Sequence, residues 1–421
     1  MNKFLLVSVN MGYGHQRTIS PLKEFARNKR IINANDYLGI PESDKRIWET
    51  SRTGYEFISK IKKIPLLGPF AFYIFDQFQK ISDFYPKRNL SAPTFQLKQN
   101  YSLIKNGWGK DLISKLEKDP AVLVTSFFAP AFMAENFNYS KDIYCIVCDA
   151  DIARAWAPLN PGKSRIKYFA PNQRVAERLK LYGVDPKNVS LSGYPLPLEN
   201  IGTPKMEVLI SDMENRLLNL DPKREYTEKY RSLIKNHLGN LPKRSNHPLT
   251  LMFAVGGAGA QMELGGKILE SLKKKIKEKK IRLVLVAGTK KSVEEYFKEK
   301  LSEARLGKDV EVIFEETFEK YYRKFNRALR KTDILWTKPS ELSFYAALGI
   351  PIIMAPCVGS QEDFNKEWLL KSGFAVPQGD PNYTDQWLFD WLDNGNLAEC
   401  AFQGFIEGEK MGTYNILGEL S

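Results

Sequence analysis

Short apolar segments alternate with longer amphipathic segments along the first half of the chain. The mostly apolar segments are predicted to be strands buried on both faces, and they cover 4–9, 120–128, 142–149 and 166–171. The amphipathic segments between them predict helices, the first of which begins near Thr18. Strands that are buried on both faces and separated by helices form parallel sheets, so this half is predicted to be α/β.

The same alternation resumes after residue 248, following a charged segment that predicts helices and no strand. The strands predicted in this second half cover 249–257, 281–288, 310–314, 333–337 and 350–356. The chain is therefore predicted to be α/β, with two Rossmann-like parallel-sheet domains that face a central cleft. The predicted division is an N-terminal domain over 1–200, a helical charged insert over 201–248, a C-terminal domain over 249–395 and a helical tail over 396–421.

Length and composition agree with two packed domains. The 421 residues exceed what one ordinary core holds, and 43% of them are hydrophobic, which excludes a disordered chain. The net charge of +13 favours an anionic partner, such as a phosphorylated substrate, a nucleic acid or an acidic membrane surface. The N-terminal sequence lacks the features of a signal peptide, and the apolar stretch 64–75 is too short to span a bilayer, so we expect a cytoplasmic protein.

The cysteines predict neither a disulfide framework nor a metal site. There are four, and Cys145 and Cys148 form a C-x-x-C inside a predicted strand. Alternation along a strand directs these two sulfur atoms to opposite faces, whereas a redox or zinc pair needs both on one side. We expect buried structural cysteines and no bound metal.

Two glycine-rich loops follow the first strand of each half. The first, NMGYGH, contains Gly12, Gly14 and His15, one of only three histidines in the chain. The second contains Gly256, Gly257, Gly259 and Ala260 before a helix that is predicted to begin near Gln261. Backbone N–H groups of such a loop can bind a diphosphate, although glycines also serve tight strand-to-helix turns without any ligand.

A polar cluster follows the last predicted strands of the second half. Gly359, Ser360, Gln361, Glu362 and Asn365 come directly after the strand 350–356. Amide and carboxylate side chains in such a loop can bind the hydroxyl groups of a sugar. Ser340 and Glu341, which follow the strand 333–337, are either part of this site or simply the start of a helix.

Together these motifs resemble GT-B glycosyltransferases that use a nucleotide sugar to glycosylate a lipid. The segments that carry the resemblance are NMGYGH, GGAGA and TKPSELSFYAALGIPIIMAPCVGSQEDFN, with 148–197, which contains Asp149, Trp156 and the turn Gly193-Tyr194-Pro195. The most similar groups are the monogalactosyldiacylglycerol synthases with the processive diacylglycerol glucosyltransferases, and the peptidoglycan transferase that adds GlcNAc to lipid I. The similarity covers most of the chain except about 200 to 248.

The resemblance implies a role for each motif. His15 matches the histidine proposed in these enzymes as general base or acceptor-positioning group, and an unperturbed imidazole can accept a proton at cytoplasmic pH. Gly12, Gly14, Asp149 and Trp156 would form the acceptor side. The donor side would consist of two sets: Gly256, Gly257, Gly259 and Ala260 at the diphosphate, and Ser340, Glu341, Gly359, Gln361, Glu362 and Asn365 at the ribose and sugar. The implied donor is a UDP-sugar, used as a co-substrate without cofactor or metal.

Two positions depart from the family pattern. The glutamate that binds the ribose hydroxyls is replaced by Phe344, and Glu341 is the nearest carboxylate. Phenylalanine cannot accept hydrogen bonds from a ribose, so either Glu341 substitutes, or the donor differs, or nucleotide binding has decayed. A histidine of the relatives between Asp149 and Trp156 is also absent, because Ile152, Ala153 and Arg154 occupy that interval.

The segment 55–90 combines aromatic and aliphatic residues with six lysines and arginines. Such a segment either lies at the surface of an anionic membrane or forms an internal helical cap, and the resemblance favours the membrane. No nucleic-acid-binding module is evident. The sequence therefore predicts a glycosyltransferase with a lipid or other hydroxyl acceptor, located in the cytoplasm with peripheral contact to the inner face of the membrane. The alternatives are a GT-B protein that binds nucleotide or lipid without catalysis, and a nucleotide-sugar epimerase.

Overall fold

The structure is a computed structural model that describes residues 4–50, 81–257, 259–357 and 360–421. These residues form two compact units. The first unit comprises Met1–Pro195 with the segments Cys357–Asn365 and Met411–Ser421. The second comprises Leu196–Pro356 and Lys366–Lys410.

The first unit is built on a parallel sheet in the strand order β2-β1-β3-β4-β5-β6. Its strands are β1 Phe4–Ser8, β2 Ile31–Asn33, β3 Val122–Thr125, β4 Ile143–Ile146, β5 Lys167–Ala170 and β6 Val189–Leu191. The central strands form because their apolar residues are buried on both faces, as in β4, where all four residues are buried. Its helices are α1 Tyr13–Ile19, α2 Phe95–Lys105, α3 Lys110–Leu116, α4 Phe128–Asn136 and α5 Gln173–Leu181.

The second unit begins with α6 Glu207–Leu220, α7 Glu225–Lys229 and α8 Arg231–Leu238 and contains a second parallel sheet. The strand order in this sheet is β12-β11-β10-β7-β8-β9. The strands are β7 Thr250–Ala254, β8 Arg282–Gly288, β9 Val310–Phe314, β10 Ile334–Thr337, β11 Ile352–Met354 and β12 Ala375–Pro377. The helices that follow β7 are α9 Met262–Lys277, α10 Lys291–Ala304, α11 Phe318–Leu329, α12 Ser360–Ser372, α13 Thr384–Asp393 and α14 Asn396–Glu407, and α15 Gly412–Glu419 ends the chain.

The predicted fold class is confirmed, because both units are Rossmann-like parallel sheets with helices around them. All nine predicted strands are present, and three further strands were not predicted. These are β2, β6 and β12, which are edge strands of three residues each. The predicted start of the first helix near Thr18 is wrong: α1 begins at Tyr13, directly after Gly12 with its φ of 115°.

The described residues divide differently from the predicted domains at three places. Residues 201–248 belong to the second unit, where they form α6 to α8. The segment Cys357–Asn365 and the C-terminal segment from Met411 are grouped with the first unit. Most of the basic and aromatic segment 55–90 lies outside the described residues, and only 81–90 can be located. Among the helices that the structure describes, none is both long and apolar enough to cross a membrane.

The C-terminal helix α15 packs on the core of the first sheet. Ile416 and Leu420 are buried in the same apolar cluster as Phe4 and Leu6 of β1. The helix approaches so closely at Gly412 that a Cβ atom there would overlap the main-chain carbonyl of Tyr194. Packing of the tail therefore requires a glycine at this position, because a main-chain carbonyl cannot move aside as a flexible side chain can.

We expect Gly412→Ala to lower the stability of the protein by about 1–3 kcal/mol, the usual cost of overpacking. Gly418→Ala in the same helix is the matched control, since a Cβ atom there meets nothing within 4 Å. The control should be neutral or raise stability by about 0.5–1 kcal/mol, because alanine favours a helix over glycine. Urea unfolding followed by circular dichroism measures both, and equal stabilities of the two variants would contradict the packing argument.

A buried ion pair anchors the loop after β4. Arg178 of α5 donates two hydrogen bonds of 2.8 Å to the carboxylate of Asp151 and a third of 2.8 Å to the carbonyl of Ser82. The two side chains are only 1% and 5% exposed. Loss of Arg178 would leave the buried Asp151 carboxylate with only the N–H of Ile152 and a 3.9 Å contact to Arg174, which is costly at this level of burial.

Arg178→Met should lower the free energy of unfolding by about 3–5 kcal/mol, because it leaves the Asp151 carboxylate buried without its bidentate partner. Arg231→Met provides the comparison, since Arg231 pairs with Glu228 at an exposed site where such pairs contribute about 0–1 kcal/mol. Thermal and urea denaturation of the two variants test this expectation. A loss for Arg178→Met as small as that for Arg231→Met would show that the buried pair does not stabilise the loop.

Candidate functional site

His15 lies in the first turn of α1, close to the carboxyl end of β1 in the first unit. Its side chain is half-buried, and its Nδ1 atom lies 2.9 Å from the main-chain oxygen of Ser126, just beyond β3. A carbonyl oxygen can only accept a hydrogen bond, so this contact requires the proton on Nδ1. In the neutral imidazole the lone pair is then on Nε2, which is the form that a general base needs.

Cys148 and Asp149 lie beside this histidine at the carboxyl end of β4. The Cys148 Sγ atom is 3.4 Å from His15 Nδ1 and 3.8 Å from Asp149 Oδ2, to which its thiol donates. Asp149 is half-buried and Cys148 is buried. The expectation that both cysteines of the C-x-x-C are buried is confirmed. Cys145 lies within β4, and burial raises the pKa of its thiol.

Aromatic side chains surround the His15 imidazole. The Phe127 ring meets it edge-on with centroids 4.7 Å apart, and the Trp156 ring lies at 6.3 Å. Phe128 joins these side chains, since its ring is 5.4 Å from that of Trp156. Trp156 is only 4% exposed, whereas Phe127 and Phe128 are half-buried. The tryptophan therefore forms part of the wall behind the imidazole, and the phenylalanines are the members that solvent reaches.

Arg154, in the interval where the resembling enzymes have a histidine, serves to fix the local backbone. Its guanidinium donates to the carbonyl groups of Ser91, Ala157 and Pro158. The side chain is 5% exposed, and burial lowers the pKa of its guanidinium. Arg154 thus holds the turn around Trp156, and it does not present a group for acid–base chemistry.

Asn365 and Glu362, both predicted to lie beside the donor sugar, are buried in the described structure. Asn365 is 2% exposed, and its Oδ1 accepts a hydrogen bond of 2.9 Å from the N–H of Ala150. The side-chain amide of Asn172 donates to the carbonyl of Ala150. Asn365 therefore fixes the turn that follows Asp149 in the first unit. Gln361 is the second residue of α12, and Gly359 lies outside the described residues.

The second glycine loop follows β7 in the second unit, as predicted. Gly256, Gly257, Gly259 and Ala260 are half-buried and precede α9, a helix of 16 residues. Gly259 has a φ of 73°, and its N–H donates to the carbonyl of Gly256 at 2.8 Å, so this part of the loop is a tight turn. Backbone N–H groups at the start of a long helix can bind an anion.

Glu341 and Phe344 occupy different environments in the 3-10 helix Glu341–Leu348, which follows β10. Phe344 is 4% exposed and packs against Trp368 with ring centroids 5.1 Å apart. Glu341 is half-buried, while every other residue of this helix is buried. Ser340 precedes the helix and makes no side-chain capping bond. The carboxylate, not the phenyl ring, is thus the accessible group at this end of the sheet.

The structure brings His15, Asp149 and Trp156 together and adds three neighbours that the sequence did not indicate. Ser126 contributes only a carbonyl group, Cys148 a thiol and Phe127 a ring. All three lie near the carboxyl ends of the strands predicted over 120–128 and 142–149, and that position was the available signal. In the described part of the chain, no three His, Cys, Asp or Glu residues lie close enough to hold a metal ion.

The remaining histidines lie elsewhere. His237 is exposed on α8. His247 is buried, with its Nε2 atom 3.1 Å from Asp333 Oδ1, and burial raises the pKa of that carboxyl group. This pair belongs to the interior of the second unit.

Comparisons with known proteins agree with this architecture. A family model described as a domain of unknown function, DUF6938, matches residues 241–324. No curated protein matches the sequence. Among solved structures, the "putative UDP-N-acetylglucosamine 2-epimerase" of Listeria monocytogenes is 14% identical, with a TM-score of 0.50 over 99% of this chain and 95% of its own.

Two further structures show weaker overall agreement. MurG of Acinetobacter baumannii is 13% identical, with a TM-score of 0.49 and 99% coverage of each chain. The UDP-GlcNAc 2-epimerase of Neisseria meningitidis bound to UDP-GlcNAc is 13% identical, with a TM-score of 0.48 and 99% coverage of each chain. At these identities only the likeness to the Listeria protein supports a conclusion, and that conclusion concerns the fold: the chain has two Rossmann-like domains of the GT-B type.

Proposed function

We propose that this protein transfers a sugar from a nucleotide sugar, of the UDP-sugar type, to a hydroxyl group of an acceptor. The observation that carries the proposal is the hydrogen bond from His15 Nδ1 to the carbonyl of Ser126. This bond leaves the basic lone pair on Nε2 and fixes the plane of the ring, as a general base requires. The acceptor would bind beside this imidazole in the first unit.

The donor would bind the second unit. The half-buried residues Gly256, Gly257, Gly259 and Ala260, with the start of α9, would supply backbone N–H groups for the diphosphate. Glu341 would supply a carboxylate for the ribose hydroxyls. The resemblance to GT-B glycosyltransferases supports this assignment. The name of the Listeria protein with the same fold also refers to a UDP-sugar.

In the proposed reaction, the acceptor hydroxyl loses its proton to His15 Nε2 while its oxygen forms a bond to the anomeric carbon of the sugar. The bond between that carbon and the diphosphate oxygen breaks, and the nucleoside diphosphate leaves with the electron pair. Negative charge therefore grows on the leaving oxygen, where the backbone N–H groups of the glycine loop stabilise it. The aromatic rings of Phe127 and Trp156 limit the access of water to the imidazole.

The proposed acceptor is a lipid hydroxyl at the cytoplasmic face of a membrane. The resemblance to lipid glycosyltransferases and the basic, aromatic composition of 55–90 support this choice. Lys87 and Arg88, in the described end of that segment, are exposed. The net charge of +13 is of the sign that anionic lipids attract.

Two alternative functions each have an observation in their favour. Phe344 occupies the position of the glutamate that binds the ribose in the resembling enzymes, and it is buried against Trp368. This replacement favours a protein that binds a nucleotide without turnover. The name of the Listeria protein favours an epimerase. Mass spectrometry of the products separates the three functions: release of UDP with a glycosylated lipid indicates transfer, an isomeric UDP-sugar indicates epimerisation, and unchanged donor with measurable affinity indicates binding alone.

His15→Ala should lower the turnover of UDP-sugar in the presence of lipid vesicles by roughly 10²- to 10⁴-fold, the usual contribution of a general base. The affinity for UDP should not change, because the proposed nucleotide site lies in the second unit. His237→Ala is the control, since His237 is exposed on α8. UDP release and isothermal titration measure the two quantities, and full turnover by the His15 variant would refute the assignment.

Glu341→Gln should weaken UDP binding by roughly 10- to 100-fold, the range expected for lost hydrogen bonds to a charged group. The variant should also bind UDP and 2′,3′-dideoxy-UDP with similar affinity, whereas the unchanged protein should prefer the ribose. Glu367→Gln, at an exposed position of α12, is the matched control. Titration calorimetry with both ligands tests this. If Glu341→Gln retained the preference for ribose, the carboxylate would have another role.

A further inference from the structure

We propose that Cys148 is a positioning residue for His15 and that its thiol couples the Asp149 carboxylate to the imidazole. The inference rests on the proposed function for the role of His15. It adds to that role a side chain that neither the sequence motifs nor the resemblance indicated, since the sequence predicted Cys148 only as a buried structural cysteine.

The Cys148 sulfur atom lies within reach of both the imidazole and the carboxylate. It is 3.4 Å from His15 Nδ1 and 3.8 Å from Asp149 Oδ2. The proton on Nδ1 is directed to the carbonyl of Ser126 at 2.9 Å, and the sulfur is a second, weaker acceptor for the same proton. The thiol keeps its own hydrogen, which it donates to Asp149.

The backbone on both sides of Cys148 and Asp149 is fixed by hydrogen bonds. The N–H of Val147 donates to the neighbouring strand β5 at 3.1 Å, and both main-chain groups of Ala150 are bound by asparagine side chains. Cys148 is only 4% exposed, so water competes little for the bonds that its thiol makes. The thiol is therefore in place before any substrate binds.

The contact matters because the imidazole becomes positively charged when it accepts a proton as a base. A nearby negative charge favours the charged form of a histidine and so raises its pKa. A polarisable thiol between carboxylate and imidazole strengthens this effect, since hydrogen bonds in a chain polarise one another. The hydrogen atoms on Nδ1 and on the sulfur stay where they are, so the chain orients the ring and stabilises its charge without moving a proton.

The charged and titratable groups around the imidazole in the described structure come from two elements. Cys148 and Asp149 follow β4, while Arg17 lies two residues further along α1, with its guanidinium 5.3 Å from the ring centre of Tyr13. The other loops that pack against the imidazole provide a carbonyl group and aromatic rings, which do not titrate. Asp149 is thus the carboxylate that the thiol connects to His15.

An NMR titration of the three histidines measures the coupling without any substrate. His15→Ala assigns the His15 signal. Asp149→Asn should lower the pKa of His15 by about 0.5–1 pH unit, because a negative charge is lost. In a Cys148→Ala background the same change should have less than half of this effect. Equal shifts in the two backgrounds would overturn the inference, because the carboxylate would then act without the thiol.

The turnover of Cys148→Ala and Cys148→Ser separates positioning from packing. Both changes remove the sulfur atom, but serine keeps a donor and an acceptor at this position. Cys148→Ala should lower kcat for UDP release with lipid vesicles roughly tenfold at little cost in KM, and the acidic limb of its pH profile should move to lower pH. Cys148→Ser should lose less and move the limb less. Equal losses in both variants without movement of the limb would mean that the thiol only fills space.

Cys145→Ala is the control for the loss of a buried thiol. Cys145 is completely buried within β4, so the change removes the same group from the preceding part of the same chain segment. The pKa of His15 should not change in this variant, and circular dichroism verifies that each variant keeps the fold. A shift as large as that in Cys148→Ala would contradict a specific role of Cys148.

The outcomes also distinguish this inference from the proposed function. Coupled titration of His15 and Asp149 through the thiol, in a protein that transfers no sugar, would refute the proposed function and support the coupling. Loss of turnover in His15→Ala, with an unchanged His15 pKa and pH profile in both Cys148 variants, would overturn the coupling and leave the proposed function intact. Failure of both measurements would refute both.

Discussion

Parallel strand pairing is the constraint on which the arrangement of both units depends. In a parallel sheet every strand ends at the same edge, so loops that are distant in sequence meet there. His15, the carbonyl of Ser126 and the Cys148 thiol come from loops after β1, β3 and β4, which are neighbours in the first sheet. The second glycine loop follows β7, and Glu341 follows β10, the neighbour of β7 in the second sheet.

The groups around His15 are held mainly through the backbone. A carbonyl group orients the imidazole, Arg154 donates to three carbonyl groups around Trp156, and Asn365 and Asn172 bind the two main-chain groups of Ala150. Because such partners are fixed by the fold, the side chains need not be ordered when a substrate binds. The first unit therefore provides a preorganised surface around the imidazole, which is what general-base catalysis requires.

The sequence predicted the fold because strands that are buried on both faces, such as β4 and β11, leave a strong apolar signal even when they are short. The short strands β2, β6 and β12 escaped prediction because only three residues form each of them and some remain in contact with solvent, so their apolar pattern is weak. The start of α1 was misplaced for a related reason: Gly12 allows the chain to turn directly into a helix, and the pattern of polar residues does not record that turn.

The sequence predicted the candidate site less completely than the fold. The glycine loop after the first strand singled out His15, and the family resemblance singled out Asp149 and Trp156. The geometry then revealed their proximity. The orienting group of His15 could not be found in this way, because a carbonyl group is common to all residues and its direction depends on the fold. The accessibility of Glu341 could not be predicted either. The other seven residues of the 3-10 helix Glu341–Leu348 are buried, and only the three-dimensional packing leaves Glu341 half-buried.

The motif of the second glycine loop does not by itself show whether its glycines serve a tight turn or a ligand. Gly259 has a positive φ, so its backbone conformation requires glycine whether or not a ligand binds. Gly256 is not among the residues with positive φ, and the group nearest to a Cβ atom there is the end of the flexible Lys338 side chain, which can move aside. The turn therefore accounts for Gly259 but not for Gly256. A glycine that neither the backbone conformation nor the packing requires is what the close approach of a ligand to main-chain N–H groups would need, and the proposed diphosphate is such a ligand.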